Sequence, residues 1–156
     1  MKTYTKESSI ASYIYVVECL EDFKLSIKSL GNLKIERGIY LYVGSANIKR
    51  PYLRVIRHLT KNFKKPKWHI DYITINCQPK LGVLCYGIDE NFMWDYIVKH
   101  GHIFTPYVKG FGASDTPHHN THLFKVVSTD VINPYNAVVK TFLKLKVCSH
   151  IEFLTP

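Results

Sequence analysis

The apolar positions of this chain fall into short blocks with two different periods. Residues 12–18 (SYIYVVE) are β-branched and aromatic, which predicts a strand. Residues 22–29 alternate, with Phe23, Leu25 and Ile27 on one side and Lys24, Ser26 and Lys28 on the other, as in a half-exposed strand. Gly31-Asn32 marks a turn, and 33–36 resumes a short strand. Residues 38–44 (GIYLYVG) predict another strand that ends at a glycine. From residue 51 the period changes. Pro51 suits the first turn of a helix, and Leu53, Ile56 and Leu59 recur at helical spacing. A lysine-rich loop spans 61–67, and 69–76 (HIDYITIN) fits either a helix or a strand. Residues 82–86 predict an apolar strand.

Asp89 is placed to cap a helix from Glu90 to about His100, stopped by Gly101, with Phe92, Met93, Tyr96 and Ile97 as its inward stripe. Residues 105–121 are loop-like and 123–127 predict a short strand. Asn133 and Pro134 open a last helix, whose stripe is Tyr135, Val138, Val139, Phe142 and Leu143. There is no repeat, low-complexity tract or linker. The pattern predicts one domain over residues 1–156. It belongs to the α+β class, with a small, mostly antiparallel β-sheet flanked by helices and a C-terminal strand–helix extension.

Apolar residues make up 46% of the 156, enough for one real core. No apolar run approaches the ~20 residues that span a bilayer, and Met1–Ser9 is polar, without the apolar centre of a leader. These features predict a cytoplasmic chain with no membrane association and no evident obligate protein partner. The four cysteines, Cys19, Cys77, Cys85 and Cys148, include no C-x-x-C pair and sit among apolar residues. The expectation is buried thiols in a reducing compartment, although a disulfide is not readable from spacing.

Charge changes the picture more than length does. Of the 21 Lys and Arg, nine lie between Arg37 and Ile70, where there is no Asp or Glu; the other 12 are matched by all 12 acids. The net charge of +9 therefore belongs to one segment, in which Tyr40, Tyr42, Tyr52, Phe63 and Trp68 are interleaved. A basic field with aromatics suits a phosphate backbone, and Lys49, Arg50, Arg57, Lys61, Lys64, Lys65 and Lys67 are the candidate contacts. No long amphipathic helix carries this charge, as a membrane-surface protein would need.

Several short motifs occur in order: Tyr42–Ala46 (YVGSA), Arg54–His58 (R-x-x-RH), Trp68–Tyr72 (WHIDY), the acid-led helix from Glu90, Gly110–Asp115 (GFGxSD) and His122–Phe124 (HLF). Together they resemble the GIY-YIG nuclease superfamily, and in particular one little-characterised branch found alone or fused to DNA-repair glycosylases. In this resemblance Tyr42-Val43-Gly44 is the YIG element, and the GIY-like strand is Ser12-Tyr13-Ile14. A literal Gly38-Ile39-Tyr40 also occurs, but on the same strand as Tyr42, whereas the superfamily's motifs lie on separate strands. The likeness covers about residues 12–127. It departs where that branch has a cysteine pair, since here Thr116, Pro117, His118 and His119 follow Ser114-Asp115.

The resemblance implies a metal-dependent endonuclease, with DNA a better fit than RNA as partner. Phosphodiester hydrolysis needs an activated water, a charge clamp on the phosphate and help for the leaving oxygen. By likeness, Glu90 would hold one Mg²⁺ or Mn²⁺, Arg54 would clamp the phosphate, and Tyr13 or Tyr42 would activate the water. A phenol near pKa ~10 is a poor base unless Arg and metal charge lower it. His58, one turn from Arg54, would relay a proton. His69 and Asp71 belong to the pattern without an assigned step. Asp115, His118, His119 and His122 form a D-x-x-H-H-x-x-H cluster, for which zinc and an unligated polar loop are both open readings. The alternative function is a non-catalytic nucleic-acid-binding module that keeps the fold.

Overall fold

The structure, a computed structural model, describes residues 10–127 and 133–156. Met1–Ser9, read above as a polar segment, lies outside them. In chain order the elements are β1 (Ala11–Cys19), β2 (Phe23–Ile27), β3 (Gly31–Ile35), β4 (Gly38–Ser45), α1 (Tyr52–Leu59), α2 (His69–Thr74), β5 (Gln78–Tyr86), α3 (Glu90–Val98), β6 (Phe104–Pro106), β7 (Leu123–Val126), α4 (Pro134–Leu143) and β8 (His150–Leu154). Six strands form one sheet in the order β6-β7-β4-β1-β5-β8, every pairing antiparallel. β2 and β3 form a separate hairpin.

Both faces of the sheet are covered. Tyr13, Tyr15, Val17, Tyr40 and Tyr42 face α1 and α2, packing with Val55, Leu59, Ile70 and Ile73. Ile14, Val16, Leu41 and Val43 face α3 and α4, packing with Met93, Ile97, Val138 and Phe142. That two-sided burial explains why β1 and β4 read as nearly continuous apolar runs and not as alternating ones.

The ambiguous segment 69–76 resolves as α2. Its register was hidden because Ile70, Asp71, Ile73 and Thr74 are all buried, an apolar and a polar face inside together. The turn expected at Gly31-Asn32 lies at residues 28–30, and Gly31 opens β3 with φ +81°. Asp89 and Asn133 cap α3 and α4 as predicted, accepting from the Phe92 and Tyr135 amides.

Three inward stripes need correction. On α1 the buried residues are Val55, His58 and Leu59, whereas Leu53 and Ile56 are 46% and 36% exposed. The face that packs carries a histidine, so an apolar count chose the wrong side. Phe92 on α3 and Leu143 on α4 are likewise exposed, at 44% and 60%. The loop expected over 105–121 contributes the end of β6, and β8 was not foreseen.

The cysteines are not thiols. Cys19–Cys77 and Cys85–Cys148 are disulfides, which corrects the expectation of reduced cysteines. The cause is sheet register. Glu18 pairs with Gln78 across β1 and β5, which brings Cys19 against Cys77; Cys85 lies on β5, whose other neighbour β8 follows Cys148. Each closes a loop of about 60 residues, worth ~4 kcal/mol in the chain-entropy picture. Among the described residues no helix is long and apolar enough to cross a membrane.

Candidate active site

One end of β1 and β4 forms the floor of a cleft of ≈ 370 Å³ lined by Tyr13, Tyr42, Arg54, Trp68, His69, Glu90 and Asp115, among others. β1 and β4 are adjacent, with Tyr13 opposite Gly44 and Tyr15 opposite Tyr42. The alternation of the strands puts Tyr13 and Tyr42 on the same face, their ring centroids 6.5 Å apart. Tyr40 shares that face but lies away from the cleft, donating to Glu36 O at 2.6 Å and packing edge-on against Tyr107. Two glycines of the sequence motifs make room for the two rings. A side chain at Gly44 would overlap the Tyr13 ring, and one at Gly112, where φ is +66°, would come 2.7 Å from Tyr42 Cε2.

Beneath Tyr13 lies a buried chain of polar groups. The Tyr13 hydroxyl and His58 Nε2 are 2.8 Å apart, and His58 Nδ1, which makes no hydrogen bond, faces Asp71 Oδ1 at 3.9 Å. Both His58 and Asp71 are fully buried. Asp71 accepts from both Arg57 Nη atoms at 2.8 Å and from the Lys67 and Trp68 amides at 2.8 and 2.9 Å. Burial pushes the Asp71 carboxyl up, but these donors outweigh it and hold the group below the ordinary carboxylate range. Its negative field favours the His58 tautomer with the proton on Nδ1, leaving Nε2 to accept from Tyr13.

Arg57, read from the charge pattern as a nucleic-acid contact, is engaged within the fold by its ion pair with Asp71 and its stacking on Trp68 and Phe63. Arg54 donates to Ser45 O at 2.6 Å, lies 5.6 Å from the Trp68 ring centre and points into the cleft. Lys67 also lines the cleft, while Lys49, Arg50, Lys61, Lys64 and Lys65 are exposed around α1 and the loop that follows it. His69 Nδ1 accepts from the Gly112 amide at 2.8 Å, so its Nε2–H donates to Ser29 Oγ at 3.0 Å. It ties the Gly110–Asp115 loop to the start of α2.

Glu90 reaches the cleft from the first turn of α3, around the end of β4. Beside it stand two buried histidines of the 116–122 loop, neither of which lines the cleft. His122 Nε2 is 3.6 Å from Glu90 Oε1 and 2.8 Å from His119 Nδ1. His118 is exposed and packs edge-on against His119, and Asp115 lines the cleft, so the sequence cluster divides in two. In the sequence Trp68 stands out only as an aromatic of the basic segment and Gly112 not at all; their places inside WHIDY and GFGxSD are the one signal of a role in the cleft.

The electrostatics differ from expectation in one respect. Burial first, then the neighbouring Tyr42, raises the Tyr13 phenol well above its ordinary value despite the opposing charge of Arg54, and Tyr42 is raised by burial and by Glu90. Burial raises Glu90 to about 7, with the Ser45 amide and Arg54 opposing and Asp115 and Asp89 adding to it. Burial lowers His58 to about 4, only partly offset by Asp71. Because this folded value lies below the unfolded one, neutral His58 contributes stability that is fully present above pH ~6.5 and is lost as pH falls through 4. The loss is about 3 kcal/mol. Urea unfolding at pH 7, 5.5 and 4 should show that loss in the parent, smaller by this amount in His58→Gln. An equally steep acid loss in the variant would show that His58 is not held neutral.

A family model described as a domain of unknown function, DUF123, matches residues 12–145. The chain belongs to the DUF123 family. No curated protein matches it, and no solved structure does. The DUF123 match runs from β1 to just past α4 and so includes every residue of the cleft, while β8 lies beyond it, linked through Cys148 to β5.

Proposed function

We propose that the chain is a metal-dependent endonuclease of the GIY-YIG type, hydrolysing phosphodiester bonds in DNA. One observation carries the reading: Tyr13 and Tyr42 on neighbouring strands converge with Arg54 and Glu90 on a single cleft. Proteins that merely bind a phosphate backbone need cations, not a buried phenol–imidazole pair opposite a carboxylate. The basic residues Lys49, Arg50, Lys61, Lys64, Lys65 and Lys67 would hold the backbone by charge.

In this reading Arg54, aimed into the cleft by Ser45 O, fits two oxygens of the scissile phosphate. Tyr13 takes a proton from the attacking water only as it passes its own to His58, because burial forbids a standing phenolate. Tyr42 donates its hydroxyl proton to a phosphate oxygen. Glu90 offers an oxygen donor that lines the cleft, which fits a divalent cation, Mg²⁺ or Mn²⁺ in the simplest case. Such an ion, when bound, neutralises charge on the phosphate and its leaving oxygen.

A cytoplasmic setting belongs to this reading only where the redox poise leaves two disulfides formed; Cys19, Cys77 and Cys85 are at most 3% exposed, which shields the bonds. The raised phenols favour one rival, a nucleic-acid-binding module without catalysis. The test is incubation with labelled duplex, flap and single-stranded DNA in Mg²⁺, Mn²⁺ or EDTA. Cleavage that stops in EDTA is expected; binding without cleavage of any substrate selects the rival.

A further inference from the structure

We infer that Glu90, His119 and His122 together bind a divalent transition ion of the Zn²⁺ or Mn²⁺ kind, in place of a hydrated Mg²⁺ on Glu90 alone. It rests on the nuclease reading only for what the ion does in the cleft; the site itself rests on geometry. One ligand atom from each of the three residues lies within 4.8 Å of the other two. The His119 Nδ1–His122 Nε2 edge is 2.8 Å and the His122 Nε2–Glu90 Oε1 edge 3.6 Å. Neighbouring ligands on one ion, at bond lengths near ~2.1 Å, stand roughly 3 Å apart, so these separations already bracket a shared centre.

The two rings are held for this. His119 stacks on Trp94 at 4.2 Å with 7° between planes, and Trp94 Nε1 is anchored to Thr121 O at 2.8 Å. His122 packs against Tyr42, and its amide donates to Phe111 O. Both histidines are at most 3% exposed. Three polar atoms approach one nitrogen, His122 Nε2: His119 Nδ1 at 2.8 Å, Thr116 Oγ1 at 3.2 Å and Glu90 Oε1 at 3.6 Å. A neutral imidazole nitrogen satisfies one hydrogen bond, so hydrogen bonding alone leaves this convergence unexplained. An ion shared by His122, His119 and Glu90 accounts for that meeting, with the Thr116 hydroxyl outside the ligand set.

The donor set decides the ion. Two imidazole nitrogens and one carboxylate suit Zn²⁺ and other borderline ions, whereas Mg²⁺ keeps oxygen ligands and water. Glu90 lines the cleft and the buried His119 and His122 do not, so positions on the ion not taken by the histidines would open on the Glu90 side, toward the phosphate.

The test uses the full chain with disulfides intact, stripped of metal, with no thiol or chelator present. Equilibrium dialysis against Zn²⁺ or Mn²⁺ should give one tight ion per chain, and Mg²⁺ should bind at least tenfold more weakly. His119→Ala, His122→Gln and Glu90→Gln should each weaken Zn²⁺ binding at least tenfold, and His118→Ala should leave it unchanged. Because the two histidines are buried, imidazole NMR of the parent chain gives a second reading: one equivalent of Zn²⁺ should shift His119 Nδ1 and His122 Nε2 together. Absence of that shift, or Zn²⁺ binding that survives loss of both histidines, overturns the site. Stoichiometric Zn²⁺ with no cleavage of any DNA sinks the nuclease reading and leaves the site standing. Mg²⁺-driven cleavage undiminished in folded His122→Gln does the reverse.

Discussion

Tyr13→Phe is expected to lower single-turnover DNA cleavage by at least ~10²-fold, the low end for loss of a proton-transfer group. The change deletes one oxygen from a fully packed ring, so the fold should survive. What it removes is the 2.8 Å link to His58. A buried phenol with no acceptor is inert, since burial already holds its proton. Tyr13 differs from the other three tyrosines of its face, Tyr15, Tyr40 and Tyr42, in having an imidazole within hydrogen-bond distance of its hydroxyl. Tyr42→Phe should cost less, about tenfold, the worth of one hydrogen bond to a phosphate oxygen. Tyr40→Phe should stay within a few-fold, because its hydroxyl is spent on Glu36 O outside the cleft. DNA affinity should change little in all three. An inactive Tyr40→Phe beside a normal Tyr13→Phe would mean that the literal Gly38-Ile39-Tyr40 carries the motif and that the first strand is misassigned.

The strands β1 to β5 and β7 were legible as runs of β-branched and aromatic residues bounded by turn residues. The pairing of β1 with β4 was not in any periodicity; the placing of the two motifs on separate strands implied it, and the register Tyr15 opposite Tyr42 supplies it. α1 misled because its inward face carries His58, whose polarity hides a core position. The same reason hid Asp71 on α2, buried by its partners and not by its chemistry. The charge count gave the basic segment correctly but not the fate of each cation: Arg57 and Lys67 are two of the same nine, yet one is paired inside and the other lines the cleft. Disulfides Cys19–Cys77 and Cys85–Cys148 depend on which strands become neighbours, so spacing along the chain held no trace of them. The meeting of Glu90 with His119 and His122 is of the same kind: about 30 residues separate them, and only α3 docking beside the 116–122 loop joins them.

Asp71→Asn should produce two separable losses. The first is stability. The substitution keeps shape but removes the charge that pairs with Arg57, whose side chain is only 18% exposed, so a largely buried guanidinium is left unpaired. About 3 kcal/mol is expected, the low end for breaking such a pair from one side. The second loss is in the proton path. Asp71 raises the affinity of His58 for a proton and Arg57 lowers it. Without the carboxylate His58 accepts the Tyr13 proton less readily, and kcat should fall by about tenfold with KM little changed. The double variant Asp71→Asn with Arg57→Met separates the two effects. Removing both charges should restore most of the stability, because no buried ion is left alone. It should restore kcat only in small part, since loss of Arg57 lifts the smaller, opposing effect on His58 while the larger one, from the Asp71 carboxylate, is still missing. If the double variant regains both stability and full cleavage, Asp71 only braces Arg57 and the turn before α2. If stability returns and kcat stays low, Asp71 is a positioning residue that acts on Tyr13 through His58.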